Sequence, residues 1–585
     1  MLSHLYRKGD PSKPPLRIGL LLDGYKMSRA FTQVVDDILG CDFARIELVI
    51  LHRVDVEQPA RRLLKRPLPL PLRLLQAFRD EKSRKRLMYS LYQTVEQRVA
   101  PKPDPLEAVD CLERLQTVES IWVAPIVKGF VHRFDEASIQ AIKSKELDVL
   151  FRFGFNIIRG DILRAARYGI WSFHHGDNEF YRGGPSHFWE LVEGNPLSGV
   201  ILQVLNEELD NGVVLCKSLF ATHEGPWVSQ NRYGPYWGAT HFAIRKLHEL
   251  QTQGWESVKS RQVPAAPYQG KEKIYRAPTN GQVICWMGPV LIRKAIQRLF
   301  DKPVSKHWSM AVRRGQGLSP SVGAKPDMSG FRWTDPPFGH FYADPFLHSR
   351  NGKQWLLFED YLYDEKRGLI SCAEIGPDGR IGQVERCLER PYHLSYPCLF
   401  EHDGEIFMIP ESFASGKIEL YRARTFPHGW EKVKDLFELP AVDTTLLHRD
   451  GRWWFFTTAC EPAGHAVHLL LFSADSLTGE WTLHPASPVA SDVRTARNAG
   501  AIMEHGGRLY RLSQNCARDY GTSFAFNEIV RLNELEFLEQ PVLEVLPDWC
   551  EGLIGTHTYN RCGDLEAVDG KRVVASRKIF AAPSR

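Results

Sequence analysis

The chain has 585 residues, 43% of them apolar and 25% charged, which is more than one hydrophobic core accommodates, so two or three domains are expected. With 74 basic against 70 acidic side chains the net charge is only +4, which excludes a whole-molecule field for nucleic acid. The 11 cysteines hold no C-x-x-C pair, which argues against a zinc knuckle or a redox motif, and no apolar run is long enough to span a bilayer. Reduced thiols and a cytoplasmic location are expected.

The first element in chain order is LRIGLLL, residues 16–22, a continuous apolar run of the kind buried on both faces of a parallel sheet. Asp23-Gly24 ends it, residues 28–39 carry helical spacing, and residues 45–51 (RIELVIL) form the next strand, which opens a doubly wound α/β sheet. No G-x-G-x-x-G follows the first strand, so dinucleotide binding has no support. A basic insert spans residues 55–110. Its stretch 61–86 alternates leucine with proline between Arg and Lys, and reads either as an element lying on an acidic membrane surface or as a helical excursion with solvated charges. The α/β pattern resumes at residues 120–127 and 147–151, and the first domain is placed at 1–225. Residues 226–330, with helical pieces near 240–251 and 290–300, are read as an extension and linker.

The remainder, 331–585, repeats itself. Ala343-Asp344-Pro345-Phe346-Leu347 precedes Asn351-Gly352 and an apolar run. Ser395-Tyr396-Pro397-Cys398-Leu399 with Asp403-Gly404, Val442-Asp443-Thr444-Thr445-Leu446 with Asp450-Gly451, and Asn498-Ala499-Gly500 with Gly506-Gly507 follow the same order. A weaker fifth unit runs from Thr556-His557-Thr558-Tyr559 to Asp569-Gly570. Each unit reads as strand, tight hairpin, strand, at the spacing of one four-stranded propeller blade, so five blades are expected. The units resemble the propellers of glycoside hydrolase family 43. More closely, through YADPF, PESFASGKIELYRA and AVDTTLL, they resemble the propeller at the N-terminus of plant glucosamine inositolphosphorylceramide transferases. The resemblance implies a sugar site with Asp344 as the family's general base and Asp443 in a second acidic position. A hydrolase needs two carboxyl groups across one bond, and the fourth unit offers Arg497-Asn498 where the acid is wanted, with Glu411 and Glu551 as loose substitutes. Glycan binding or a structural role is therefore expected of this half rather than hydrolysis.

The densest chemical signal is YGIWSFHHGDNEFYRGG with ELDNG downstream, residues 168–184 and 208–212. A histidine at the end of a buried strand, a Tyr-Arg-Gly loop and an Asp-x-Gly resemble the catalytic core of the folate-dependent formyltransferases. That resemblance implies His174 as the catalytic histidine, Asp210 as its carboxylate, and Ser172 where the family has Asn. It places Phe153-Gly154-Phe155-Asn156 at the folate loop and Tyr181-Arg182-Gly183 at the loop end, with 10-formyltetrahydrofolate as donor and no metal. His175, Asp177 and Glu179 depart from the family and make the loop polar, so Asp177, Tyr181 and Arg182 are candidates for holding the substrate. The chemistry suits these types: a formyl transfer needs a proton acceptor near neutrality, a carboxylate to orient it, and a donor for the oxygen that gains charge. Three functions follow. One is an N-formyltransferase, or a related acyltransferase, acting on an amino sugar or nucleotide sugar for surface polysaccharide or glycolipid. The second is a non-catalytic glycan-binding or scaffold protein whose first domain has lost formyl transfer. The third is a glycosyltransferase-associated enzyme whose first domain is active in another reaction, such as glycosyl transfer.

Overall fold

A computed structural model describes residues 2–53, 80–300, 304–460, 464, 466–575 and 579. The basic stretch 61–86, read either as a membrane-surface element or as a helical excursion with solvated charges, lies outside these residues up to position 79. No helix among the described residues is long and apolar enough to cross a membrane.

The chain divides into two compact units that part at Leu299 and Phe300. In the first, seven strands form one sheet in the order Val213–Ala221, Leu197–Val204, Ile170–His174, Val149–Arg152, Leu16–Leu22, Ala44–His52, Glu119–Val123. The five strands from Ile170–His174 onward pair in parallel, and the other two run antiparallel at one edge. Leu16–Leu22 is buried at six of its seven positions, as the unbroken apolar run requires of a central parallel strand. The helix Arg29–Leu39 starts where Ser28 caps it, the Ser28 hydroxyl accepting from the Phe31 amide at 3.3 Å. Leu21, Ile50, Phe134, Leu150, Phe155 and Ile170 share one core. Within the segment 226–330, read as extension and linker, Val228–Gly238, His241–Gln253 and Trp255–Ser260 are helices of the first unit, and Val304–Arg314 is a strand of the second.

The second unit is β-rich, with five antiparallel sheets in chain order. The first four open with His340–Arg350, Ser395–His402, Ala441–Arg449 and Arg497–Asn498. The fifth joins the ends of the unit: Val304–Arg314 pairs along its whole length with Leu565–Ala575. The hairpin turns Asn351-Gly352, Asp403-Gly404, Asp450-Gly451 and Gly506-Gly507 have positive φ at both residues, the geometry that matches the twist of the flanking strands. Asp569-Gly570, expected to be the fifth turn, instead lies inside Leu565–Ala575. Its carboxylate accepts from the amides of His557 and Thr558, and a Cβ on Gly570 would meet Trp333 at 2.4 Å. The turn is made by Gly563 and its neighbour, between the paired Cys562 and Leu565.

Hydrogen bonds link the inner strands of successive sheets. The Tyr396 amide donates to Asp344, the Tyr396 and Thr445 hydroxyls lie 2.7 Å apart, and Asn498 donates to the Asp443 carbonyl. The Ala501 amide donates to Asn560, whose own amide group donates to the Pro345 carbonyl.

Candidate functional sites

In the first unit, Ser172 and His174 alternate with apolar neighbours on Ile170–His174 and so share a face at the strand's carboxyl end. The structure brings together three segments that sequence separates by 36 residues. His174 Nδ1 lies 3.4 Å from Asp210 Oδ1, and Asp210 Oδ2 accepts from the Gly183 amide at 2.9 Å. His174 Nε2 faces the Tyr181 carbonyl at 2.8 Å. Both ring nitrogens therefore meet acceptor oxygens. Asp210 adopts φ +52°, and Gly183 at φ +92° lies so close to Tyr275 that a Cβ would meet its carbonyl at 2.4 Å.

The Ser172 hydroxyl is engaged by a group that the sequence reading passed over. Arg152 Nε donates to it at 2.9 Å, and Arg152 Nη1 donates to the carbonyls of Phe155 and Asn156. Burial pulls the Arg152 pKa down, against the pull of Asp210 and Asp23. A lone arginine in the apolar run LDVLFRFGF was the available signal, because a charge in a buried parallel strand needs a partner or a task.

The loop Phe153-Gly154-Phe155-Asn156 does reach the end of the first strand. A Cβ on Gly154 would meet the Asp23 amide nitrogen at 2.2 Å, so only glycine permits this approach. Phe155 packs into the core, its amide donating to Asp23 Oδ1 at 2.6 Å, and Phe153 stacks on Phe31. Burial works to raise the Asp23 pKa, but His52 and the Phe155 amide outweigh it and hold it low.

The expected substrate residues have partners of their own. Asp177 is buried and accepts from Lys217 Nζ at 2.7 Å and from the Glu179 amide. Tyr181 donates to Glu193, and burial pushes its phenol well up. Arg182 donates to Asn211 and lies over the Tyr268 ring. His175 stacks on Tyr236 at 3.6 Å, and burial, with His187 and His174 adding to it, keeps its imidazole well below the ordinary value.

In the second unit the repeats place like residues in like positions. Asp344, Tyr396 and Asp443 each sit at a bulge with φ between 41° and 51°. The residues paired with their predecessors are Glu359, Glu411 and Thr458. Asp344, Glu359, Glu411, Asp443 and Asp569 are all buried, with Arg497 against Asp443 and Glu411, and His557 against Asp344 and Asp569. Arg497 donates to Asp443 at 2.5 Å and reaches Glu411 at 3.5 Å. Burial opposes the Arg497 charge, yet Asp443 holds its pKa well up. Burial, then the neighbouring carboxyl groups, push Glu359 well above the usual range. Glu411 rises in the same way, chiefly through burial and Asp443. Asp344 is pushed up to about 6 by burial, with His557 pulling against it. Burial disfavours the charged form of His557, but Asp569 at 2.6 Å holds its pKa above the ordinary value.

Sequence reasoning named Asp344 and Asp443, with Glu411 as a loose candidate, and passed over Glu359, His557 and Asp569, which the fold brings beside them. FED lies two residues short of the end of the second strand of the first sheet, IPE closes the second strand of the next, and the like placement of their glutamates was the readable sign for Glu359. Asp344, His557 and Asp569 are the group among the described residues whose ligand atoms all lie within 4.8 Å of one another, a spacing that a metal ion could use.

Residues 324–557 match the family described as glucosamine inositolphosphorylceramide transferase 1, N-terminal. The glucosamine inositolphosphorylceramide transferase 1 of Oryza sativa subsp. japonica is 32% identical over 210 residues, 35% of this chain and 28% of that protein. Its counterpart from Arabidopsis thaliana is 32% identical over 208 residues, 35% and 27% of the two chains. The chain thus spans little more than a quarter of the length of these curated relatives. Among solved structures, glycinamide ribonucleotide transformylase 1 from Symbiobacterium toebii is 17% identical, covering 40% of this chain and 88% of that one, with a TM-score of 0.26. The catalytic domain of the Coprinopsis cinerea α-L-arabinofuranosidase is 10% identical, covering 45% and 97%, with a TM-score of 0.32. Across residues 324–557, the second half of this chain is similar to the N-terminal region of glucosamine inositolphosphorylceramide transferase 1.

Proposed function

We propose that the chain is a sugar-modifying transferase. Its first unit moves a formyl group, or a related acyl group, from 10-formyltetrahydrofolate to the amine of an amino sugar or nucleotide sugar, in the making of a surface polysaccharide or glycolipid. The observation that carries the reading is the assembly of His174, Asp210 and Gly183 at the carboxyl end of a parallel strand. The donor set fits a formyl donor, because the guanidinium of Arg152 and the hydroxyl of Ser172 stand together and would supply the hydrogen bonds that an oxygen gaining charge requires. The folate, when bound, supplies the formyl carbon. Asp210 steers the imidazole through Nδ1. His174 receives at Nε2 the proton that the attacking amine sheds, in the place that the Tyr181 carbonyl now fills.

The second half, in this proposal, is a five-bladed β-propeller that holds the glycan at Asp344 and Asp443. Five sheets and the hydrogen bonds from each inner strand to the next support it. The glycolipid direction rests on the likeness of this half to glucosamine inositolphosphorylceramide transferase 1.

Calorimetry with 10-formyltetrahydrofolate tests the proposal. Saturable binding is expected, with His174→Ala keeping the binding and losing at least ~100-fold in formyl transfer to an amino sugar. Absence of binding at millimolar ligand overturns it. One observation favours a second reading, a glycan-binding protein without transfer: both the His174 Nε2 and the Ser172 hydroxyl are already engaged within the protein. Under that reading His174→Ala leaves every measurable property but stability unchanged.

A further inference from the structure

The helix Asn280–Phe300 is the longest among the described residues, 21 residues without one Asp or Glu. Near its start it docks on the first unit: Val283 is buried, and Trp286 and Met287 pack against the cluster of Tyr92, Phe188 and Val228. On the opposite side Ile284, Leu291, Ile292 and Ile296 are each more than half exposed. At 100° per residue these four span an arc of about 140°, centred roughly 160° from the docked face. Arg293 and Lys294, both exposed, lie to either side of that arc, and neither makes an ion pair among the described residues. Soluble surfaces rarely leave four large aliphatic side chains together in water.

We infer that this helix is a membrane-surface element, lying flat in the headgroup region of an anionic bilayer with Ile284, Leu291, Ile292 and Ile296 facing the acyl chains. The helix is not apolar enough to cross a membrane, it is about 30 Å long, and its only charges are positive. Apolar contact supplies the burial, and the flanking Arg293 and Lys294 select an anionic over a zwitterionic surface. A second copy of this chain would face the same two cations with its own, which is why a lipid surface is the better occupant. The proposal does not depend on the transfer reaction.

The test uses the full chain and two vesicle preparations, phosphatidylcholine alone and phosphatidylcholine with phosphatidylserine. Co-sedimentation is expected with the anionic vesicles only. A polarity-sensitive fluorophore on Cys285, the exposed cysteine on this helix, is expected to shift to the blue on binding. Each basic residue near an anionic surface is worth about fivefold in partitioning, so Arg293→Glu with Lys294→Glu weakens binding at least ~20-fold. Ile292→Asp with Ile296→Asp abolishes it, while the exposed positions leave the melting temperature unchanged. No binding to either vesicle overturns the inference. Binding indifferent to all four substitutions overturns it too, since another segment would then be responsible. A dimer seen by light scattering that Ile292→Asp dissolves assigns the face to a second copy and equally overturns it.

Discussion

Glu359 occupies an uncommon position for a carboxyl group: it is buried, has four other carboxyl groups acting on it, and its nearest basic neighbour is His393, 3.5 Å away. Burial pulls His393 down to about 4, so at neutral pH it brings no charge to the pair. A carboxyl whose pKa is raised by folding binds its proton more tightly in the native chain than in the unfolded one. Stability contributed by that proton is therefore complete below the unfolded value and is lost as pH rises through the folded value. Glu359 and Asp344, the latter at about 6, both act in this direction, so the stability that these two protons contribute is lost as pH climbs from about 4 through 6 and beyond. Glu359→Gln keeps the shape and removes the titration. It is expected to raise the melting temperature by a few degrees at pH 8 and by less at pH 5. Calorimetric melting at both values checks this, and an equal effect at the two would show that Glu359 carries no raised pKa. What sequence revealed at this scale depended on repetition. Asp344 and Asp443 stood out because the same bulge recurs around them, whereas His557 and Asp569 belong to the most degenerate unit and reach Asp344 only through folding.

Local geometry was most legible where one residue type alone satisfies it. The four Asn-Gly, Asp-Gly and Gly-Gly turns announced their hairpins because both central residues need positive φ. The long apolar strands of the first unit announced a parallel sheet for the corresponding reason of two-sided burial. Asp569-Gly570 misled because the same dipeptide serves another end, a carboxylate held against two amides and a bare backbone under Trp333. Gly451 gives a clean measure of the turn chemistry. Its φ is +74° and a Cβ there would meet nothing within 4 Å, so the cost of Gly451→Ala is that of the backbone conformation alone. We expect a loss of about 1 kcal/mol, which is roughly 2–4 °C in melting temperature for a unit of this size. A loss several times larger would mean that the turn makes contacts beyond its own strands.

At the scale of the whole second unit, the strand Val304–Arg314 sits more than 250 residues from the partner with which it pairs at eleven positions. Sequence offered no sign of this pairing. VSKHWSMAV has strand character, but it precedes the first complete repeat and so reads as part of a linker. In the proposed propeller that strand is what joins last sheet to first, and the argument extends to the site. Asp569 lies on the partner strand, opposite Met310, and it holds His557 and the Asp344 amide in place. Removing Val304–Arg314 would therefore loosen the fifth sheet and, with it, the side of the carboxyl cluster that His557 neutralises. A fragment of residues 300–585 is expected to unfold in one cooperative transition, and a fragment of 316–585 to lose that cooperativity and expose Leu565–Ala575 to rapid amide exchange. The row of unpaired groups left along that strand would also make the shorter fragment prone to aggregate. Equal melting temperatures for the two fragments would show that the sheets hold together without this pairing, and the joined ring would then be the wrong description of the unit.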